Sequence, residues 1–277
     1  RALGRALSRL ADLELAEGRQ ATARDLYVEI IKTQRARLQQ HPEDAEVRRD
    51  LLVGLVKLAD LLSQEGDLEG TAKRLKEADT VGRELYRQNP SSGTSLNDRL
   101  VIAARLARVS EQLGNKSEAL KAYKDAAQVS GVVLEKGESL ARRRNLSVFW
   151  LKIADLTREF GDEFGARAYM ERAVKNHARV AEADPRYAPQ LEGLQQRLET
   201  QRQRCALLSG DTQPKDDLDR NFLAGVHLRN GRPVEALGYF RQLLGSEENR
   251  RKLGLLIEGI RAASLSAAQA KDPGEKA

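Results

Sequence analysis

Cysteine is nearly absent: 277 residues hold one, Cys205. A single thiol closes no internal disulfide, which excludes a secreted module stapled by crosslinks. Cys205 lies in the run RQRCALL, where a small buried apolar residue is expected. Aromatics make up only 4% of the chain, so platforms for stacking bases are scarce. The three histidines, His41, His177 and His227, fall in separate stretches. No HExxH, CxxC, phosphate loop or GxSxG motif occurs. Ser110 and Ser147 stand in helical runs without a histidine at a suggestive spacing. No zinc site, cofactor or catalysis is therefore expected. No apolar stretch approaches the ~20 residues of a membrane span. The opening RALGRALSRLADLEL is amphipathic and does not read as a secretory signal. The expected partners exclude a membrane, and the expected location is the cytoplasm.

What is plentiful is helix-forming and charged. Ala, Leu, Glu, Arg and Gln dominate, and seven prolines leave room for long helices. Lys and Arg number 47 against 41 Asp and Glu, a net charge of +6. Such a balance reads first as a solvated surface of both signs. It also supplies the alternative reading, a helical-repeat protein that binds nucleic acid through its surplus positive charge. The chain starts on Arg1 and inside a repeat, as expected of a piece of a longer or processed protein.

Gly18, Gly66, Gly114 and Gly161 stand 48, 48 and 47 residues apart, and Gly231 follows after 70. A fixed period of this size marks stacked helical hairpins. Seven residues before each glycine stands Ala11, Ala59, Ala107, Ala154 or Ala224. Eight before stand Leu10, Leu58, Leu106, Ile153 and Leu223, and five before stand Leu13, Leu61, Val109, Leu156 and Val226. A small residue beside large ones on one helical face lets two helices approach closely. After the glycine the order returns: Ala23, Thr71, Ala119, Ala166 and Ala236 at five, then Tyr27, Leu75, Tyr123, Met170 and Phe240 at nine. Pro42, Pro90 and Pro185 then stop the second helix.

Each repeat is thus helix A, a glycine turn, helix B and a proline turn. This pattern resembles the tetratricopeptide repeat: the alanine before the turn, G-x-x-x-x-A-x-x-x-[YF], the closing proline, and Trp150 in the fourth repeat. Two departures stand out. The period is near 48 rather than the family's usual ~34, and the position before the turn that is commonly glycine is alanine throughout. The extra residues lengthen each helix by about seven, or roughly 10 Å. Stretches such as RRDLLVGLVKLADLLSQEGDLEG look like the long-helix repeats of bacterial signalling and effector proteins.

The resemblance implies an all-α, right-handed superhelical stack of antiparallel helix hairpins, a TPR-like solenoid. Repeats are expected at about 1–43, 44–91, 92–138 and 139–186, followed by a helix at 187–208. A loop is expected at 209–216, with Asp216 or Asp217 as N-cap. A shorter hairpin at 217–270 closes with a capping helix begun at Ser246, and a disordered tail occupies 271–277.

In tetratricopeptide arrays the A helices line the concave face. Residues six before the glycine should point there: Asp12, Asp60, Arg108 and Asp155, with Gly225 in the short hairpin. Ten before come Ser8, Val56, Ala104 and Leu151. The Lys/Asn carboxylate clamp of chaperone-binding members is missing from these positions. An acidic and apolar groove suits a basic or amphipathic helical segment instead, from a protein partner or another domain of the same protein. The competing expectation is that these aspartates pair with cations of adjacent helices, since carboxylates withdrawn from water need partners. The run Arg142, Arg143 and Arg144 opens a helix against its dipole; it reads as an anion or acidic-partner contact, or as charge relieved by Glu135 and Glu138. The function expected is a non-catalytic scaffold for protein–protein interaction.

Overall fold

The computed structural model describes residues 2–230 and 232–243. Gly231, the helix expected from Ser246 and the tail expected at 271–277 lie outside the described residues. All the described elements are helical. Their Cα positions divide into two bodies, residues 1–198 and 199–277. The first holds four hairpins: α1 (Ala2–Ala16) with α2 (Gln20–Gln40), α3 (Ala45–Gln64) with α4 (Leu68–Gln88), α5 (Gly93–Gln112) with α6 (Lys116–Lys136), and α7 (Leu140–Glu159) with α8 (Glu163–Ala183). A 3-10 turn (Pro185–Tyr187) leads into α9 (Ala188–Ser209). Each B helix packs on the next A helix, α2 on α3, α4 on α5 and α6 on α7. The first body is therefore an all-α, TPR-like stack of antiparallel hairpins. In the second body α10 (Asp217–Arg229) pairs with α11 (Pro233–Leu243), and Asp216 caps α10 by accepting from the Asp219 amide.

The glycine turn works by economy. Gly18, Gly66, Gly114 and Gly161 all have φ between 73° and 88°, a left-handed conformation that side chains resist. That geometry lets the next residue donate its amide back to a carbonyl five residues earlier: Asp67 to Leu62 at 2.9 Å, Asn115 to Ser110 at 2.8 Å. Such a bond closes helix A. The same residue then opens helix B, because the Asp67 carboxylate accepts from the Gly70 amide at 2.8 Å and Asp162 from Gly165 at 2.7 Å. One residue ends one helix and starts the next, so the two are held antiparallel by a three-residue link.

The small–large code forms the core. Ala11, Ala59, Ala107 and Ala154 are at most 1% exposed. Leu58 and Leu61 pack with Tyr27, Ile30 and Ile31 of the preceding B helix, and Leu106 and Val109 pack with Leu75 of theirs. Cys205 is buried, as a small apolar residue should be.

Two features of the B helices lend themselves to measurement. Arg35 pairs with Glu77 one repeat on, and Arg83 with Asp125 at 2.6 Å. The third member of this row is Gly131, in mid-helix, where an added Cβ would meet nothing within 4 Å. Gly131→Ala is expected to stabilise the chain by about 0.5–1 kcal/mol, read as a higher urea midpoint. His177 is buried, edge-on to Tyr187, and its Nε2 has no hydrogen-bond partner among the described residues. Burial, helped by the nearby Arg144 charge, holds its pKa below the ordinary histidine value. The unfolded imidazole gains its proton near pH 6.5, before the folded one does. Stability should therefore be full above about pH 6.5 and fall as the pH drops toward the folded pKa. Urea unfolding between pH 7.5 and 5 should show that slope, and His177→Gln should flatten it.

Candidate protein-binding groove and its ion-pair ladder

The A helices carry a second row that sequence reading passed over. Nine residues before each of Gly18, Gly66, Gly114 and Gly161 stands a cation: Arg9, Lys57, Arg105 and Lys152. Each of the last three reaches back to a carboxylate of the preceding repeat. Lys57 pairs with Asp12, and Arg105 with Asp60 at 2.7 Å. Arg197 of α9 reaches Asp155 at 2.9 Å, and Arg158 also approaches that carboxylate at 3.2 Å. In the third repeat the expected aspartate position holds Arg108, which is exposed. There Glu111, one turn further along, takes over and accepts from Lys152 at 2.7 Å.

Three of the four predicted groove residues, Asp12, Asp60 and Asp155, are thus members of an inter-repeat ladder. Arg108 has no carboxylate partner among the described residues. A cation at nine before each of the first four turn glycines was the signal that could have revealed the ladder.

The rungs alternate. In repeats 1 and 3 a tyrosine hydroxyl joins the pair: Tyr27 donates to Asp12 at 2.6 Å and Tyr123 to Glu111 at 2.8 Å. Burial pushes Asp12 and Glu111 up, but the hydrogen bonds from lysine and tyrosine outweigh it, and both carboxyls sit below their ordinary values. Burial, with the acceptor carboxylate beside each ring, pushes both tyrosines up. Repeats 2 and 4 have Leu75 and Met170 in the tyrosine position and use arginine as the cation.

Beside the ladder, α3 and α5 part around a cavity of about 270 Å³. Val53, Val56, Val101 and Ile102 supply apolar lining, and Asp60 and Asp98 supply carboxylates. Burial raises the pKa of Asp60 against the opposing charge of Arg105, and that of Asp98 against Arg49. Arg49 bonds Asp98 at 2.7 Å. Neither cation compensates fully, so each carboxylate gains from a further positive charge. The Asp60 side chain is still 43% exposed, which keeps it reachable from water. The apolar lining continues onto the next A helix: Val101 and Val148 are exposed, and Val56, Ala104 and Leu151 are half-buried.

Each arginine of the run Arg142–Arg144 makes a bond within the chain, and Arg142 and Arg144 are also exposed. Arg143 is buried and donates to Glu138 at 2.7 Å and to Asn176 at 3.3 Å. Arg142 donates to the Gly137 carbonyl at 3.2 Å. Arg144 donates to the Tyr187 hydroxyl at 3.1 Å and lies over its ring. Among the described residues no group of three or more His, Cys, Asp or Glu could hold a metal ion. No described helix is long and apolar enough to cross a membrane.

No protein-family model matches the chain, and no curated protein matches it. Solved structures do. One is BtubC (BKLC) from P. vanneervenii, with 19% identity over 91% of this chain and 82% of that one and a TM-score of 0.43. Another is a Podosopora anserina kinesin light chain with TPR-like repeats, at 16%, 86%, 91% and 0.42. The apo form of RapI stands at 11%, 91%, 84% and 0.43. The hairpins, their glycine turns and the small–large code define the fold as a TPR-like stack of helix hairpins.

Proposed function

We propose that the chain is a non-catalytic interaction scaffold whose A-helix groove receives a basic amphipathic helix from a protein partner. The observation that carries this reading is the pair Asp60 and Asp98. Two carboxylates with raised pKa values border an apolar cavity, and an incoming Lys or Arg beside an aliphatic side chain satisfies both features. The setting proposed is the cytoplasm, within a larger bacterial regulatory or effector protein. Nucleic acid is the weaker reading, because many cations are already engaged: Lys57, Arg83, Arg105, Lys152 and Arg197 all bond carboxylates.

The test is a fluorescence titration with helical peptides of equal hydrophobicity and either a basic or an acidic polar face. The basic set should bind more tightly by at least about tenfold, with affinity falling as salt is raised. Asp98→Asn should weaken that binding while leaving the free protein as stable or slightly more so, because ionised Asp98 is disfavoured in the fold. Equal binding of both peptide sets would sink the proposal. A gel shift at low salt, where phosphate contacts are strongest, tests the nucleic-acid reading directly.

A further inference from the structure

The B-helix side of repeat 3 holds a cavity of about 600 Å³ between α4 and α6, open to water. Its apolar lining comes from Ala103 and Leu106 of α5 and from Ala122 of α6. It shares no lining residue with the cavity between α3 and α5.

The sequence accounts for this space. Eleven residues before the turn glycine, Ala103 stands where repeat 2 has Leu55 and repeat 4 has Trp150. Eight after it, Ala122 stands where those repeats have Arg74 and Tyr169. In repeat 4 the two large residues meet, and their rings stack with centroids 5.7 Å apart. Arg172 lies over both rings, and Lys124 of the preceding B helix lies 5.6 Å from the Tyr169 ring. Lys76 is the counterpart of Lys124, ten after its own glycine, and it lines the cavity. The place that repeat 4 fills with two rings beside cations is thus open in repeat 3.

The charges around the cavity are unevenly matched. Its carboxylates are all answered: Asp79 by Arg83 at 2.8 Å, Glu118 by Lys76 at 2.6 Å, and Asp125 by Arg83 at 2.6 Å and Arg99 at 3.1 Å. Lys121 and Lys124 are exposed and have no carboxylate partner among the described residues. The surplus is positive, so an anion gains there. Asp79 adds a second requirement. Its Oδ1 is buried without a hydrogen-bond partner among the described residues, and a buried acceptor in that state gains from a donor.

We infer that this cavity binds a small planar aromatic anion: a ring with an N–H or O–H at its edge, and a carboxylate held by Lys121 and Lys124. The volume falls within the roughly 300–1,000 Å³ of small-molecule sites, and cations beside a ring are attracted to its face. The site does not depend on the groove or on the helical partner proposed for it.

Indole-3-acetate carries such a ring, donor and carboxylate, and serves as the probe in calorimetric titrations. It should bind saturably in the millimolar range or below. Indole-3-ethanol, which lacks the charge, and cyclohexylacetate, which lacks the ring, should bind at least about fivefold more weakly. Lys121→Glu/Lys124→Glu, at two exposed positions, should weaken the probe at least about tenfold and leave Tm within about 2 °C. Ala103→Trp/Ala122→Tyr, which copies repeat 4, should abolish binding; if that filled variant does not fold, the lysine variant decides alone. Asp60→Arg/Asp155→Arg should bind the probe as the original chain does. No saturable binding overturns the proposal, as does equal binding of cyclohexylacetate. So does full affinity in either folded cavity variant, or a loss in the groove variant.

Discussion

Leu61→Ala should lower the unfolding free energy by about 2–5 kcal/mol, read as a lower urea midpoint. Leu13→Ala, at the same place in the repeat, should cost less than about 0.5 kcal/mol. The residue type and its offset from the glycine are the same in both; the neighbours differ. Leu61 is 0% exposed among Tyr27, Ile31 and Leu58, so truncation leaves a cavity walled by large side chains. Leu13 is already 60% exposed and leaves little behind. Equal losses would mean that stability comes from each helix's own propensity rather than from packing between repeats. Because stacked repeats can unfold in stages, the comparison should be of midpoints followed by more than one probe.

Reversing two carboxylates of the proposed groove, Asp60→Arg with Asp155→Arg, should cut affinity for a basic helical partner by about tenfold to a hundredfold. It should also turn selectivity toward peptides with an acidic face. The effect on folding should be smaller. Asp60 and Asp155 are part-exposed, with side chains 43% and 33% accessible, and exposed ion pairs contribute about 0–1 kcal/mol. Each reversal does set like charges together, because the introduced guanidinium faces Arg105 in the first case and Arg197 in the second. A modest loss of stability is therefore expected. Adding Arg105→Asp should recover the stability but not the binding. That split separates the carboxylate's part in the ladder from its part in the groove. A double variant that binds the basic peptide as tightly as the original chain would remove the groove from the reading.

The repeat itself was legible because its determinants are local. A left-handed turn calls for glycine, close helix approach calls for alanine, and both recur at fixed offsets whatever the partner. Cross-repeat chemistry was harder to read. Lys57 and Asp12 are 45 residues apart, and nothing near either residue announces the other. Asp12, Asp60 and Asp155 were visible as a row, but a row of acids reads equally as a binding surface or as one half of a ladder. Only the register of neighbouring A helices distinguishes the two. Arg108 was the outlier, and its explanation, Glu111 one turn away, needed the positions of Tyr123 and Lys152. Asp98 was missed because it lies sixteen residues before its turn, outside the recurrent stretch, and gains its character from burial and from Arg49.

The alternation of rungs bears on how such a chain lengthens or shortens. Repeats 2 and 4 share Asp67 and Asp162 as caps and pair through arginine; repeats 1 and 3 share Tyr27 and Tyr123 and receive lysine. The structural cassette is therefore a double hairpin of about 95 residues, marked by Gly66 and Gly161. Duplication or loss of a whole cassette keeps every tyrosine socket opposite a lysine. Loss of one hairpin would leave a rung with the wrong mate.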